Sequence, residues 1–201
     1  MKKKQELTVT IIFNIVLAIT MVWDVMARDG SKLGRGILIF ATIWGAYFAY
    51  RITFLKKSKT SYYIILIFIF ISMYLGNVFN WYGIPYFDKI LHLGSGVIIA
   101  IIGYMFFLSL VKRDGFDKVS PYMGAIFAIV FAAGAAAVWE IFEFTTDQLM
   151  GLLSQNNSLH DTMWDIICGT GMGILTSIPI FLHSKGKKIK FVDKMIKEML
   201  D

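Results

Sequence analysis

Cysteine is almost missing from this chain: Cys168 is the only one. An intramolecular disulfide is therefore excluded, and so is a metal site built from several thiolates. Cys168 lies inside an apolar run, where a free thiol behaves as a small hydrophobe, so it does not report a redox compartment. Charge is scarce as well, 17% of 201 residues, and much of it is bunched between apolar stretches. No soluble domain, low-complexity tract or internal repeat interrupts those stretches. The net charge of +6 comes without a motif for RNA or DNA, which sets nucleic acid aside as a partner. There is no H-E-x-x-H pair, and Gly169, Gly171 and Gly173 follow no strand, so they are not a nucleotide loop.

What remains is apolar. Hydrophobic residues make up 57% of the chain, the profile of a membrane protein. Six segments reach the ~20 residues that a bilayer requires: Leu7–Met26, Gly36–Leu55, Tyr62–Trp81, Asp88–Val111, Pro121–Thr146 and Thr162–His183. The first is too long for a secretory h-region and lacks a small-x-small cleavage site, so it reads as a retained span. Connections are short, with turn chemistry at Arg28-Asp29-Gly30-Ser31 and Arg113-Asp114-Gly115. The expectation is an all-α polytopic bundle of about six spanning helices, with 1–201 as one transmembrane domain ending in a basic tail over 184–201.

Lysine and arginine orient it. With the amino terminus inside, 16 of the 20 basic residues fall on the cytoplasmic side, in four groups over 2–4, 51–59, 112–118 and 185–197. Arg28, Lys32, Arg35 and Lys89 fall outside. Both termini are then cytoplasmic. The tail after Ser184 reads as a short basic, partly amphipathic helix near the inner headgroups.

That orientation brings the ionisable residues of three helices to one depth. Glu140, Glu143 and Asp147 are spaced i, i+3, i+7 at the outer end of the fifth helix, on one face. Asp88 and His92 sit one turn apart at the start of the fourth. His160, Asp161 and Asp165 open the sixth. His92 and Asp165 each lie roughly 6 Å below their helix starts at 1.5 Å per residue. An Asp at the centre of a spanning helix costs roughly 2.5–3.5 kcal/mol on insertion scales, so such residues face partners or water. Gly94 and Gly96, the alanine-rich run 132–137 around Gly134, and Gly169, Gly171 and Gly173, with Gly169 and Gly173 at GxxxG spacing, predict close packing of these three helices.

Phe87-Asp88-Lys89-Ile90-Leu91-His92, Trp139-Glu140-Ile141-Phe142-Glu143-Phe144 and Asp161-Thr162-Met163-Trp164-Asp165 together resemble the signatures of YjdF-like bacterial membrane proteins. These are similar in layout to the wider VanZ-like group, named for a teicoplanin-resistance protein. The resemblance covers roughly the last three helices and implies fold and site position rather than a reaction. The loop between Asp147 and His160 is shorter than the family's, so no substrate contact is carried over to it.

Three readings follow. In the first, Asp88, His92, Glu140, Glu143 and Asp165 ligate a divalent metal (Zn, Mn, Fe or Mg), with Asp147, His160 and Asp161 as secondary candidates nearer water. The protein would then be a hydrolase or transferase acting on a lipid-linked envelope substrate, Glu140 or Glu143 taking the proton. In the second it is a proton- or cation-coupled transporter, though the cytoplasmic halves of these helices carry almost no ionisable residues to continue a path. In the third it is no enzyme: the acids pair with Lys89, Arg28 or Arg35, or form a surface for an envelope lipid or glycopeptide. Residue by residue, Asp88 and Asp161 suit helix N-caps, His160 a loop, and Asp24 an i, i+4 pair with Arg28. Trp23, Trp81, Trp139 and Trp164 suit an outer aromatic belt. Glu140 and Glu143 have no such ordinary explanation. The pattern leaves open whether the chain is an enzyme, which metal it takes, and its oligomeric state.

Overall fold

Seven helices account for most of the residues that the computed structural model describes, 3–111, 119–151 and 153–200: α1 Lys3–Arg28, α2 Leu33–Ile52, α3 Lys59–Ile69, α4 Phe87–Val111, α5 Pro121–Met150, α6 Leu159–Ser184 and α7 Lys190–Leu200. No strand occurs among the described residues. Six helices are long and apolar enough to cross a membrane, and they fall on the six segments expected. The turn expected at Arg113-Asp114-Gly115, with Lys112 and Lys118, lies outside the described residues, as does Lys2.

The ends of the helices differ from the apolar runs by a few residues, for local reasons. α2 stops at Ile52 because Thr53 turns extended and accepts the Leu55 amide, opening a 3-10 turn over Phe54–Lys57. α3 starts early, at Lys59, because Ser58 caps it and accepts the Ser61 amide. Its apolar run continues as a π-helical segment, Phe70–Val78, and ends before Trp81, with Asn80 in the left-handed region at φ 59°. The α1–α2 turn holds Asp29 and Gly30 at φ 52° and 72°, as its Asp-Gly sequence predicts. Pro121 sits in the first turn of α5, after the Ser120 cap. Gly151, at φ +65°, closes α5 and donates its amide to the Asp147 carbonyl.

The described chain clusters into two compact units. The first holds α1–α3 and the last turn of α7. In it Thr10 and Tyr62 share a buried hydrogen bond, Tyr50 stacks on Tyr62 at 4.6 Å, and Lys59 pairs with the buried Glu6 at 3.2 Å. Glu198 accepts from the Thr60 amide at 2.9 Å and hydroxyl at 2.7 Å, adding an acid to the start of α3. Asp24 does not pair with Arg28. Its carboxylate is buried and accepts the Lys32 amide at 2.7 Å, closing the α1–α2 turn, while Arg28 lies over the Trp23 ring.

The second unit holds α4, α5, α6 and most of α7. All three long helices pack on one another, as their short connections and small residues predict. A methyl at Gly96 would overlap the Gly169 carbonyl, one at Gly169 would lie 3.1 Å from Ala136 Cβ, and one at Gly173 2.6 Å from Ala132 Cβ. The backbones therefore meet closely at these positions. Gly94, Gly134 and Gly171 have open space instead, so three of the six glycines in the pattern serve packing, with Ala132 and Ala136 opposite two of them. At the far end of this unit Tyr104 hydrogen-bonds His183 Nδ1 (3.0 Å) and Ser184 Oγ (2.9 Å), and His183 Nε2 bonds Asp193 of α7 (3.0 Å).

Candidate functional site

The start of α4, the last turns of α5 and the start of α6 come together, and the side chains they bring are ionisable. On α4, Asp88 and His92 share a face at i, i+4, with Asp88 Oδ1 3.7 Å from His92 Nε2. On α6, Asp161 and Asp165 share a face at the same spacing, and both turn toward Lys89. Lys89 Nζ lies 2.5 Å from Asp161 Oδ1, 2.7 and 2.9 Å from the two oxygens of Asp165, and 3.2 Å from Asp88 Oδ2. Three carboxylates thus converge on one ammonium.

His92 Nε2 faces a second ring of oxygens. Asp165 Oδ1 is 3.6 Å away and Glu140 Oε1 4.0 Å away, completing a surround from three helices with Asp88. Distances of this length exceed the ~2.7–3.2 Å of a hydrogen bond. Oxygens of Asp88 and Asp165 and the imidazole nitrogen all lie within 4.8 Å of one another, close enough to share one cation. Glu140 and Asp165 are only 4% and 2% exposed, and His92 is buried. Glu140 Oε1 has no hydrogen-bond partner. A carboxylate oxygen buried without a donor is costly unless something else meets it.

Glu140 is held from the other side. Asp147, two turns along α5, accepts the amides of Ser154 and Gln155 at 2.9 and 3.0 Å, which folds the connecting loop back over the helix end. Gln155 then donates to the Glu140 carbonyl at 3.0 Å and to Glu140 Oε2 at 3.1 Å, leaving Oε1 turned toward His92. Asp147 therefore shapes the loop and does not join the acids around His92. Glu143 accepts the Trp139 indole N–H at 2.8 Å and is not in the set of oxygens around His92.

The start of α6 also departs from expectation. Ser158 is its N-cap, accepting the Asp161 amide, and Asp161 is a first-turn residue that binds Lys89 and Asn156. Asp88 is likewise inside the first turn of α4 and is no cap. His160 is helical, exposed, and accepts the Trp164 indole N–H at 3.0 Å, away from the acids. Of the eight acids and imidazoles singled out in the sequence, Asp88, His92, Glu140, Asp161 and Asp165 are brought together, while Glu143, Asp147 and His160 are engaged elsewhere. Of the basic residues offered as partners for the acids, Lys89 is the one that pairs with them. Gln155 was not expected, because a glutamine in a polar loop carries no signal in the sequence.

A cleft of about 500 Å³ adjoins the cluster between α5 and α6; Glu140, Asp147 and Gln155 are among its polar lining and Ile141, Phe144 and Ile166 among its apolar lining.

Among known proteins, residues 9–186 match the model of a family described as predicted membrane protein (DUF2238), in keeping with the YjdF-like resemblance. A protein of Thermotoga maritima described as uncharacterized is 34% identical over 101 residues, 49% of this chain and 50% of the relative. The match thus spans about half the length of that relative. No solved structure matches. With its six apolar helices and the family match over most of its length, the chain is a multi-pass membrane protein and belongs to the DUF2238 family.

Proposed function

We propose that the second unit holds a divalent cation where α4, α5 and α6 meet, and that the protein is a hydrolase or transferase working at the outer face of a bacterial cytoplasmic membrane. The observation that carries this reading is the surround of His92 Nε2, with carboxylate oxygens at 3.6, 3.7 and 4.0 Å. Two ligands of one tetrahedral cation, at bond lengths of about 2.0–2.1 Å, stand about 3.4 Å apart. The separations of Asp165 and Asp88 from His92 need only a few tenths of an ångström of closure to meet that figure, and Glu140, outside the group of mutually close ligand atoms, needs about 0.6 Å. One imidazole with the carboxylates of Asp88 and Asp165 suits Zn, Mn, Fe or Mg, with the Glu140 carboxylate beside them. Charge favours the same reading: among the described residues, Lys89 is the one Lys or Arg paired with Asp88, Asp161 and Asp165, and the only basic group near Glu140 is the His92 ring, so a cation would offset the excess.

A cation there would polarise a phosphoryl or carbonyl oxygen. Glu140 Oε1, buried and without a donor, is placed to take a proton from a water or hydroxyl. Glu143, one turn along and held by Trp139, is the second candidate for that proton. The outer location and cytoplasmic termini follow from the Lys and Arg distribution, and the depth of the site suits a lipid-linked envelope substrate.

A second reading is favoured by Lys89. Its contacts with three carboxylates would by themselves lock α4 to α6, leaving a non-enzymatic protein that binds an envelope lipid or glycopeptide, as the VanZ-like resemblance allows. Elemental mass spectrometry on the full chain in detergent separates the two. Close to one equivalent of metal is expected in the wild type, lost in Glu140→Gln and His92→Ala with helicity intact. Wild-type protein that stays metal-free after incubation with Zn²⁺, Mn²⁺ and Mg²⁺ refutes the cation site and leaves the ion-pair lock.

A further inference from the structure

We propose that the cleft between α5 and α6 is the binding site for a phosphorylated amphiphile, a phosphate ester on a hydrocarbon chain, entering sideways from the bilayer. This inference rests on the cation site proposed above and names what that site would act upon. At about 500 Å³ the cleft falls within the ~300–1,000 Å³ usual for small ligands. It has room for a headgroup and the first part of one chain, and not for a whole lipid.

Its walls differ in chemistry. Ala137, Ile141 and Phe144 line it from α5 at i, i+4, i+7, one continuous apolar face. That face runs about 10 Å along the helix. Ile166 lines it from α6. Ile141 and Phe144 are 63% and 56% exposed, so in a spanning helix this wall is open to acyl chains. A cleft serving only a water-soluble ligand gains nothing from such a wall. The polar lining includes Glu140, Gln155 and Thr162 near the cation site, with Gln148, Asn157, Ser158 and a second carboxylate, Asp147, whose oxygens are taken by the Ser154 and Gln155 amides.

Glu140 joins the cleft to the cation site. It lines the cleft, while its unpartnered Oε1 lies 4.0 Å from His92 Nε2. A chain lying along Ile141 would bring the group at its end against the cation. The charge around that point selects the group. Four carboxylates against one lysine disfavour an anion, and a bound cation would offset them and favour a phosphate. With the cation in place, hard phosphate oxygens are the ligands it prefers.

The test is native mass spectrometry of the full chain in detergent, loaded with Mn²⁺ or Zn²⁺, with cation content read in the same spectra. The probes are farnesyl phosphate, dilauroyl phosphatidate, neutral dilauroylglycerol and inorganic phosphate. At least one phosphate amphiphile is expected at 1:1, retained tenfold better than dilauroylglycerol or inorganic phosphate. Retention of farnesyl phosphate alone identifies an isoprenoid source, and of phosphatidate alone a diacyl one. Ala137→Trp and Ile141→Trp, which fill the apolar wall, are each expected to lower retention at least tenfold with cation content unchanged. Ile141 is mostly exposed, so its variant keeps a folded control if Ala137→Trp does not. Equal retention of the neutral lipid, or retention that neither variant lowers, in cation-loaded protein overturns the inference. If the wild type carries no cation, the proposed function falls separately. A phosphate amphiphile still lost in both variants would then uphold the cleft, and none retained would overturn it too.

Discussion

Gly173→Ala tests how closely α5 and α6 are packed. The added methyl would lie 2.6 Å from Ala132 Cβ, about 1 Å short of the ~3.5 Å at which two carbons rest. Neither partner is a long side chain that can swing away, so the helix backbones must separate. Overpacking of this kind costs roughly 1–3 kcal/mol. The same substitution also removes a glycine from a helix, a gain of roughly 0.5–1 kcal/mol. Gly171→Ala supplies that gain alone, because Gly171 is in the same helix and its methyl would meet nothing within 4 Å. The helix-propensity terms cancel between the two variants. Gly173→Ala is therefore expected to be less stable than Gly171→Ala by about 1–3 kcal/mol. Reversible unfolding of both variants in mixed micelles, followed by circular dichroism, measures that difference. Gly173 is two turns, about 12 Å, from Asp165, so cation content should change far less than stability. Equal stability of the two variants would refute the close approach of α5 and α6 at Ala132.

Two further substitutions probe charge. Lys89→Met leaves Asp161 and the buried Asp165 without their ammonium; about 2–3 kcal/mol of stability should be lost, below the ~3–5 kcal/mol of a fully buried pair because a quarter of the lysine side chain stays exposed. Thermal unfolding with and without Mn²⁺ checks it: added cation should recover most of the loss, and no recovery would count against a cation site beside Asp165. Glu198→Ala removes the acid from the start of α3 and should cost about 1–2 kcal/mol by the same assay; an unchanged transition would mean that Ser58 alone caps the helix.

The spans were legible because a bilayer demands runs of apolar residues that few other settings do, and each run is here a helix. The meeting of α4, α5 and α6 was legible from topology together with the glycines and alanines. What the pattern could not supply was rotation about each helix axis. In a soluble helix the polar face marks the outside. In these helices the lipid-facing surface is as apolar as the packed one: Ile141, with 63% exposure, looks no different in the sequence from Ile180, with none. Thus Gly169 and Gly171 could not be told apart, though only the first touches a neighbour. The same gap explains the acids. Glu140, Glu143 and Asp147 share a helix face, yet Glu140 is buried toward His92, Glu143 takes an indole and Asp147 takes loop amides. Those partners come from loop geometry and indole position, which spacing along α5 does not encode.

Lys89 shows how α4 divides its charge between two neighbours. Asp88 and His92 are separated by about 40° around the helix, while Lys89 stands about 100° from Asp88, at 3.6 residues per turn. One face of α4 thus presents an acid and an imidazole, and the adjoining face presents an ammonium. The ammonium takes Asp161 and both oxygens of Asp165, which accounts for the charge of the α6 start. It does not reach Asp88 Oδ1 or Glu140 Oε1 among its hydrogen bonds; those two oxygens face His92 instead. Of the two buried acids, Lys89 draws Asp165, the more buried, by both its oxygens. Glu140 is left out, and its free oxygen is held in place by Gln155 on the opposite side. Asp165 Oδ1 is the atom shared by both arrangements, 2.7 Å from Lys89 Nζ and 3.6 Å from His92 Nε2. The lysine therefore positions Asp165 and leaves Asp88 Oδ1 and Glu140 Oε1 facing the imidazole, an arrangement that favours the proposed cation over a simple ion-pair lock.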